Sequence, residues 1–295
     1  MKTTRRDFIK NSALLGTGLL TFPFDSYWFA EVTFEFPDKI GVCTDLSNNY
    51  ILSVAGFAFI EEGVRNFLVP AESDAAFRNK LSILKKSKLP VETCNAFIPG
   101  DMKSVGPAAA HDEIVKFATK TFQRAQIAGV KIIVFGSGGS RSIPPEFPKE
   151  KAREQFVNLC KRMAPVAEKH NVVISLEPLN TGECNFINSL EEGGEIVREV
   201  NNVNFRLLAD IYHMSAENEN PQNILKYRDL LYHIHIAEKA GRSAPGVHNE
   251  DFTPFFKALK NISYKGRISI ECNWKDLKAQ AGKALQTIKE QYIIS

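Results

Sequence analysis

The sequence predicts one α/β domain folded as a closed, eight-stranded (β/α)₈ barrel over residues 39–295. Three observations predict it. Eight short runs rich in β-branched and aromatic residues alternate with longer amphipathic segments, the pattern of βαβ units around a parallel sheet. The chain has 295 residues, enough for a barrel of about 250 residues and an N-terminal extension. No G-x-G-x-x-G follows the first strand, so nothing recommends an open dinucleotide-binding sheet.

The expected strands are Ile40 to Thr44, Phe57 to Glu61, Val91 to Asn95, Lys131 to Phe135, Val172 to Glu177, Phe205 to Asp210, Tyr232 to Ile236 and Arg267 to Glu271. The first connection, Leu46 to Gly56, is short. The others carry helical periodicity at Glu72 to Lys86, Ala108 to Ala128, Glu150 to His170, Ser189 to Val200, Pro221 to Arg228, Thr253 to Lys260 and Lys275 to Tyr292. Right-handed βα units in this number favour closure into a barrel. No linker or low-complexity stretch divides them.

Composition narrows the function. Hydrophobic residues make up 44% and charged residues 24%, which excludes global disorder and supports a full core. The formal net charge of +3 comes largely from Lys2, Arg5, Arg6 and Lys10. The remaining body is near neutral and lacks the basic footprint of a nucleic-acid binder. Thr4-Arg5-Arg6-Asp7-Phe8-Ile9-Lys10 precedes an apolar run, Ala13 to Leu20, that is too short to span a bilayer. Residues 1–30 resemble a bacterial twin-arginine export signal, which implies a periplasmic location, a transient encounter with the export machinery and no stable membrane anchor. That route carries folded cargo, often with metal bound. The five cysteines include no C-x-x-C pair, so a zinc-thiolate site is unsupported and most read as small buried residues.

In such barrels chemistry sits at the C-terminal ends of the strands. Glu177, Asp210, His235 and Glu271 each close an apolar run there, on strands five to eight. Converging carboxylates repel one another unless a cation sits among them. Three carboxylates with one imidazole form an oxygen-rich site suited to one divalent ion, foremost Mn²⁺, with Mg²⁺, Co²⁺ or Zn²⁺ as alternatives. Salt bridges at a barrel rim are the other reading.

Leu176-Glu177-Pro178-Leu179-Asn180, Asp210-Ile211-Tyr212-His213-Met214 and His235-Ile236-Ala237-Glu238, followed by Arg242-Ser243-Ala244-Pro245-Gly246, resemble the xylose isomerase-like TIM barrels. The resemblance runs from Lys39 to the C-terminus, and the ketose 3-epimerase branch, typified by D-tagatose 3-epimerase, matches best by motif. It implies Glu177, Asp210, His235 and Glu271 as metal ligands and Glu183, His213 and Arg242 as substrate contacts. The interval from Glu238 to Arg242 is one residue longer than in the epimerase pattern, and an export signal is foreign to the cytoplasmic sugar isomerases.

The expected activity is that of a metal-dependent sugar isomerase or epimerase, with Glu177 and Glu271 as catalytic bases that act beside a carbonyl through an enediolate. A carbon-oxygen lyase or dehydratase acting on a keto-sugar, 3-keto-glycoside or inosose shares the first step. A non-catalytic sugar-binding barrel is the third alternative. The partner is a small carbohydrate, with no nucleic acid, and a homo-oligomer is compatible with the chain. Several residues carry weaker expectations. His233 is read as pointing away from His235, as a helix-facing or supporting residue. Gly136-Ser137-Gly138-Gly139-Ser140-Arg141 reads as an anion cradle or as a tight loop with an incidental Arg. Phe97 reads as a pocket wall or loop packing, Glu61 and Glu62 as surface residues in preference to an added polar contact, and His248 and Trp274 as candidates for the mouth.

Overall fold

The computed structural model describes residues 39–295, and the twin-arginine segment expected at residues 1–30 lies outside the described residues. The strands are β1 (Ile40–Cys43), β2 (Phe59–Gly63), β3 (Val91–Asn95), β4 (Ile132–Phe135), β5 (Val173–Leu176), β6 (Phe205–Asp210), β7 (Leu231–Ile236) and β8 (Arg267–Ile270). Each is followed by a helix that returns the chain: α1 (Asn49–Ala55), α2 (Asp74–Leu84), α3 (His111–Ala128), α4 (Lys149–Lys169), α5 (Leu190–Val200), α6 (Asn223–Lys226), α7 (Thr253–Asn261) and α8 (Leu277–Ile294). All neighbouring strands pair in parallel. The ring closes between β1 and β8, with Ile40 opposite Ile268 and Val42 opposite Ile270.

Local chemistry sets the helix ends. Ser73 and Ser189 cap α2 and α5, their side-chain oxygens accepting from the Ala76 and Glu192 N–H at 3.2 Å. Gly56 and Gly129 end α1 and α3 in left-handed conformation, with φ of 93° and 83°. The turn at Gly56 also corrects the expected second strand. Phe57 bonds back to the Leu52 carbonyl and pairing starts at Ala58, so β2 begins at Phe59 and takes in both Glu61 and Glu62.

Alternation along the strands separates two environments. Ile133 and Phe135 of β4, Ile174 and Leu176 of β5 and Ile234 and Ile236 of β7 face the helices and join the main core. A chain of rings extends this layer, with Phe97, Phe135 and Phe156 at centroid distances of 5.5 and 5.2 Å. Phe97 is therefore core packing, not a pocket wall. Ile132, Val134 and Leu208 have the opposite parity and form a separate small cluster inside the barrel. The same parity places Phe59, Glu61, Thr93, Ser175, His233, His235 and Ser269 inside, all with 0% exposure.

The interior tolerates little added volume. A Cβ on Gly41 would lie 2.4 Å from the Phe59 ring, whose position is fixed by burial. Gly41→Ala is expected to destabilise the protein by about 1–3 kcal/mol through overpacking, read as a lower urea midpoint at constant m. Among the described residues no helix is long and apolar enough to cross a membrane.

Candidate active site

The interior parity of β5 to β8, carried one residue past the strand where needed, delivers Glu177, Asp210, His235 and Glu271 to one point at the C-terminal mouth. One donor atom from each of these four residues lies within 4.8 Å of the others. His235 Nδ1 is 3.0 Å from Glu177 Oε1, 3.2 Å from Glu271 Oε2 and 4.0 Å from Asp210 Oδ2. The four expected ligands are thus brought together. A second grouping of Cys43, Glu61 and His235 shares the imidazole.

The four side chains are held from behind. His235 Nε2–H donates to Glu61 Oε1 at 3.0 Å, which fixes the ring and turns Nδ1 toward the three carboxylates. Glu61 Oε2 accepts from Thr93 Oγ1 and Ser269 Oγ at 2.7 Å and from His233 Nε2 at 2.9 Å. Asp210 Oδ1 accepts from the Tyr212 N–H at 2.7 Å and so caps the short helix Ile211–Ala216. Asn95 at the end of β3 donates to Glu271 Oε1 at 2.7 Å.

Three sequence readings change here. Glu61 and Glu62 are buried, at 0% and 4% exposure, because β2 carries both into the barrel wall. Glu62 accepts from the Leu46 N–H at 2.7 Å and holds the loop after β1. His233 shares the face of His235, since residues two apart on a strand point the same way, and the rings stand 5.0 Å apart on the common Glu61. Its supporting role stands, whereas its expected direction does not. The Gly136–Arg141 loop does not offer Arg141 to an outside anion, because that side chain is fully buried.

The electrostatics explain why the cluster needs positive charge. Burial pushes the Asp210 carboxyl up to about 6, with the Glu177 carboxylate adding to the shift. Burial acts the same way on Glu271, but the His235 and Arg242 charges win and hold it down to about 2. His235 moves in the opposite sense: burial lowers it, and the Glu61, Glu271 and Glu177 carboxylates together drive it well above the usual imidazole range. Three carboxylates and one imidazole form a donor set that fits a hard divalent metal ion.

The three residues expected to meet substrate surround this point. The Asn180 N–H donates to His213 Nδ1 at 3.1 Å, which leaves the proton on Nε2. That Nε2 is buried without a hydrogen-bond partner, 3.5 Å from Asp210 Oδ2 and not aligned with it. Arg242 pairs with Glu271, reaches Asp210 at 3.5 Å and Glu183 at 3.2 Å, and lies 4.6 Å above the Tyr212 ring. Gly241 and Arg242 take φ of 67° and 49°, a left-handed turn from which the guanidinium reaches the mouth. Glu238 anchors that loop, accepting from the Gly246 and His248 N–H at 2.8 and 2.6 Å. His248 also meets Glu238 through Nδ1, at 2.9 Å. Glu183 is the most open of the set, with its side chain 40% exposed.

A closed barrel with this constellation at its mouth defines a class, and comparison with known proteins identifies it. The profile of the xylose isomerase-like TIM barrel family matches residues 35–291, and the chain belongs to that family. An L-ribulose 3-epimerase of Methylomonas sp. (strain DH-1) is 32% identical over 220 residues, which cover 65% of this chain and 73% of the relative. A 3-dehydro-D-guloside 4-epimerase of Escherichia coli (strain K12) is 30% identical over 153 residues, which cover 50% of this chain and 58% of that relative. The crystal structure of a D-allulose 3-epimerase from Methylomonas sp. in complex with D-allulose superposes with a TM-score of 0.71 at 27% identity. It covers 86% of this chain and 97% of that one.

Proposed function

We propose that this protein is a divalent-metal-dependent sugar epimerase or isomerase that exchanges the proton on the carbon beside a ketose carbonyl. One observation carries the reading: Glu177, Asp210, His235 and Glu271 converge on a single point, with His235 aimed there by Glu61. The sugar epimerases among its relatives support the substrate class. The four converging residues would hold the ion, and Mn²⁺ suits their oxygen-rich set.

A bound divalent ion supplies Lewis acidity, polarising a carbonyl and its neighbouring hydroxyl so that the C–H between them becomes more acidic. The chain's own groups do the rest. Glu177 and Glu271 approach from different strands, so one carboxylate can remove the proton from one face while the other returns a proton to the opposite face. His213 Nε2–H, buried with no protein acceptor, is placed to donate to a substrate oxygen. Arg242 and Glu183 close the rim, where their opposite charges orient hydroxyl groups. Burial of Asp210 and His235 keeps bulk water from competing for these contacts.

Metal analysis of protein purified without chelator tests the centre. About one divalent ion per chain is expected for the wild type, with loss of it in Asp210→Ala and in His235→Ala, since each removes one ligand of a four-ligand set. Full occupancy in both variants contradicts the assignment. Product analysis by NMR with free ketoses, inososes and 3-keto-glycosides separates the outcomes. An epimer or isomer supports the proposal, and an unsaturated ketone with a released leaving group indicates a lyase instead.

A further inference from the structure

Arg141 is the feature of this barrel that the site leaves unexplained. Its guanidinium is fully buried and pairs with no carboxylate among the described residues. A buried charge without a counter-ion is costly, and an apolar side chain of similar volume would be cheaper there. What Arg141 touches accounts for it. Nη1 donates to the Phe135 carbonyl at 3.2 Å, and Nη2 donates to the Glu177 carbonyl at 2.8 Å and to the Ile187 carbonyl at 3.5 Å. Nε has no acceptor. Two of these carbonyls also accept from backbone N–H groups, Phe135 from Glu177 at 3.3 Å and Ile187 from Leu179 at 3.1 Å. Glu177 O takes its hydrogen bond from Arg141.

The glycines before Arg141 serve the same residue. A Cβ on Gly136 would lie 2.3 Å from Glu177 Oε2, so only glycine lets the carboxylate occupy its observed place. A Cβ on Gly138 would meet Leu179 Cδ1 at 3.0 Å and the Glu183 carbonyl at 3.1 Å, so the loop lies close against the segment that follows Glu177. Two more contacts hold the loop in place: Ser137 Oγ accepts from the Ile98 N–H at 2.9 Å, and Ile143 is zipped to Asn185 by bonds of 2.8 and 2.9 Å.

We propose that the loop from Gly136 to Arg141 is the seat of Glu177, in which Gly136 admits the carboxylate and Arg141 is a positioning residue that pins the backbone beneath it. The inference rests on the metal-site reading above and adds that Glu177 reaches its geometry only through this loop. Arg141 acts through Glu177 and touches no substrate.

Mn²⁺ alone is the probe, titrated into the full-length protein and followed by EPR of the free and bound ion. Arg141→Met keeps volume and removes the pin. Gly136→Ala leaves every hydrogen bond of the loop and displaces the carboxylate. Arg124→Met is the control. Arg124 is a second buried guanidinium, which holds the Leu68, Val69 and Glu72 carbonyls on the outer side of the barrel. Arg141→Met and Gly136→Ala are expected to weaken Mn²⁺ binding by about 10- to 100-fold and to alter the bound-ion spectrum. Arg124→Met should stay within about twofold of wild type, because distant sites act independently. Thermal unfolding of all three is recorded alongside, and if Arg141→Met does not fold, Gly136→Ala decides. Wild-type Mn²⁺ affinity in a folded Arg141→Met or in Gly136→Ala overturns the seat and leaves the metal centre standing. Equal weakening in Arg124→Met overturns it as general softening. No Mn²⁺ binding by the wild type removes the metal reading and this inference with it.

Discussion

Replacing Glu177 or Glu271 by Gln is expected to slow turnover of a keto-sugar by about 10²- to 10⁴-fold, the range of an acid-base group acting in the transition state. Gln keeps the size and one oxygen of each carboxylate while abolishing its capacity to take a proton. The two variants should differ in what else they disturb. Glu271 also anchors Arg242 and accepts from Asn95, so Glu271→Gln leaves a guanidinium without its nearest anion and should raise KM as well as lower kcat. Glu177 meets His235 at 3.0 Å but pairs with no arginine or lysine among the described residues, and Glu177→Gln should act mainly on kcat. Steady-state kinetics with the ketose identified by product analysis checks both. Retention of more than about a tenth of wild-type kcat in each variant contradicts their role as bases.

The largest effect on stability is expected at Glu61. Its carboxylate accepts from two imidazoles and two hydroxyls in a layer closed to water. Burial raises its pKa, yet the His235 and His233 charges overcome that and hold the carboxyl well below its usual range, so it acts as the anion of a buried ion pair. Removing one partner of such a pair leaves the other buried and uncompensated. Glu61→Ala should therefore cost about 3–5 kcal/mol, read from the urea midpoint at unchanged m. Ser269→Ala removes one neutral donor of four and should cost only about 1 kcal/mol. Equal losses in the two variants contradict the picture of Glu61 as the charge on which the interior layer is built.

The fold was legible because each strand is a compact apolar run bounded by turn residues, and closure follows from the number of βα units. Half of the site was legible for a related reason. An ionisable residue that ends an apolar run, as Asp210 ends Leu207-Leu208-Ala209, signals itself. The supporting half gave no such signal. Glu61 stands beside Glu62 and looks like a solvated pair until the start of β2 at Phe59 places both in the wall. Asn95 matters because it reaches a residue 176 positions away, a contact without local trace. Arg141 follows a glycine-rich stretch whose composition suits an outward anion site, whereas the close approach of Glu177 to Gly136 turns the loop inward. His233 could have been placed correctly from strand periodicity alone.

The central claim is that a proton beside a carbonyl is removed and returned at this site, and solvent deuterium exchange tests it most directly. Metal-loaded wild-type protein is incubated with a panel of free ketoses and 3-keto-glycosides in D₂O and followed by NMR. The account predicts deuterium at the carbon beside the carbonyl in at least one substrate, with its epimer or isomer as product and no incorporation in Glu177→Gln. Tight binding of a carbonyl sugar at the metal with no exchange in the wild type contradicts it and makes the barrel a sugar-binding protein.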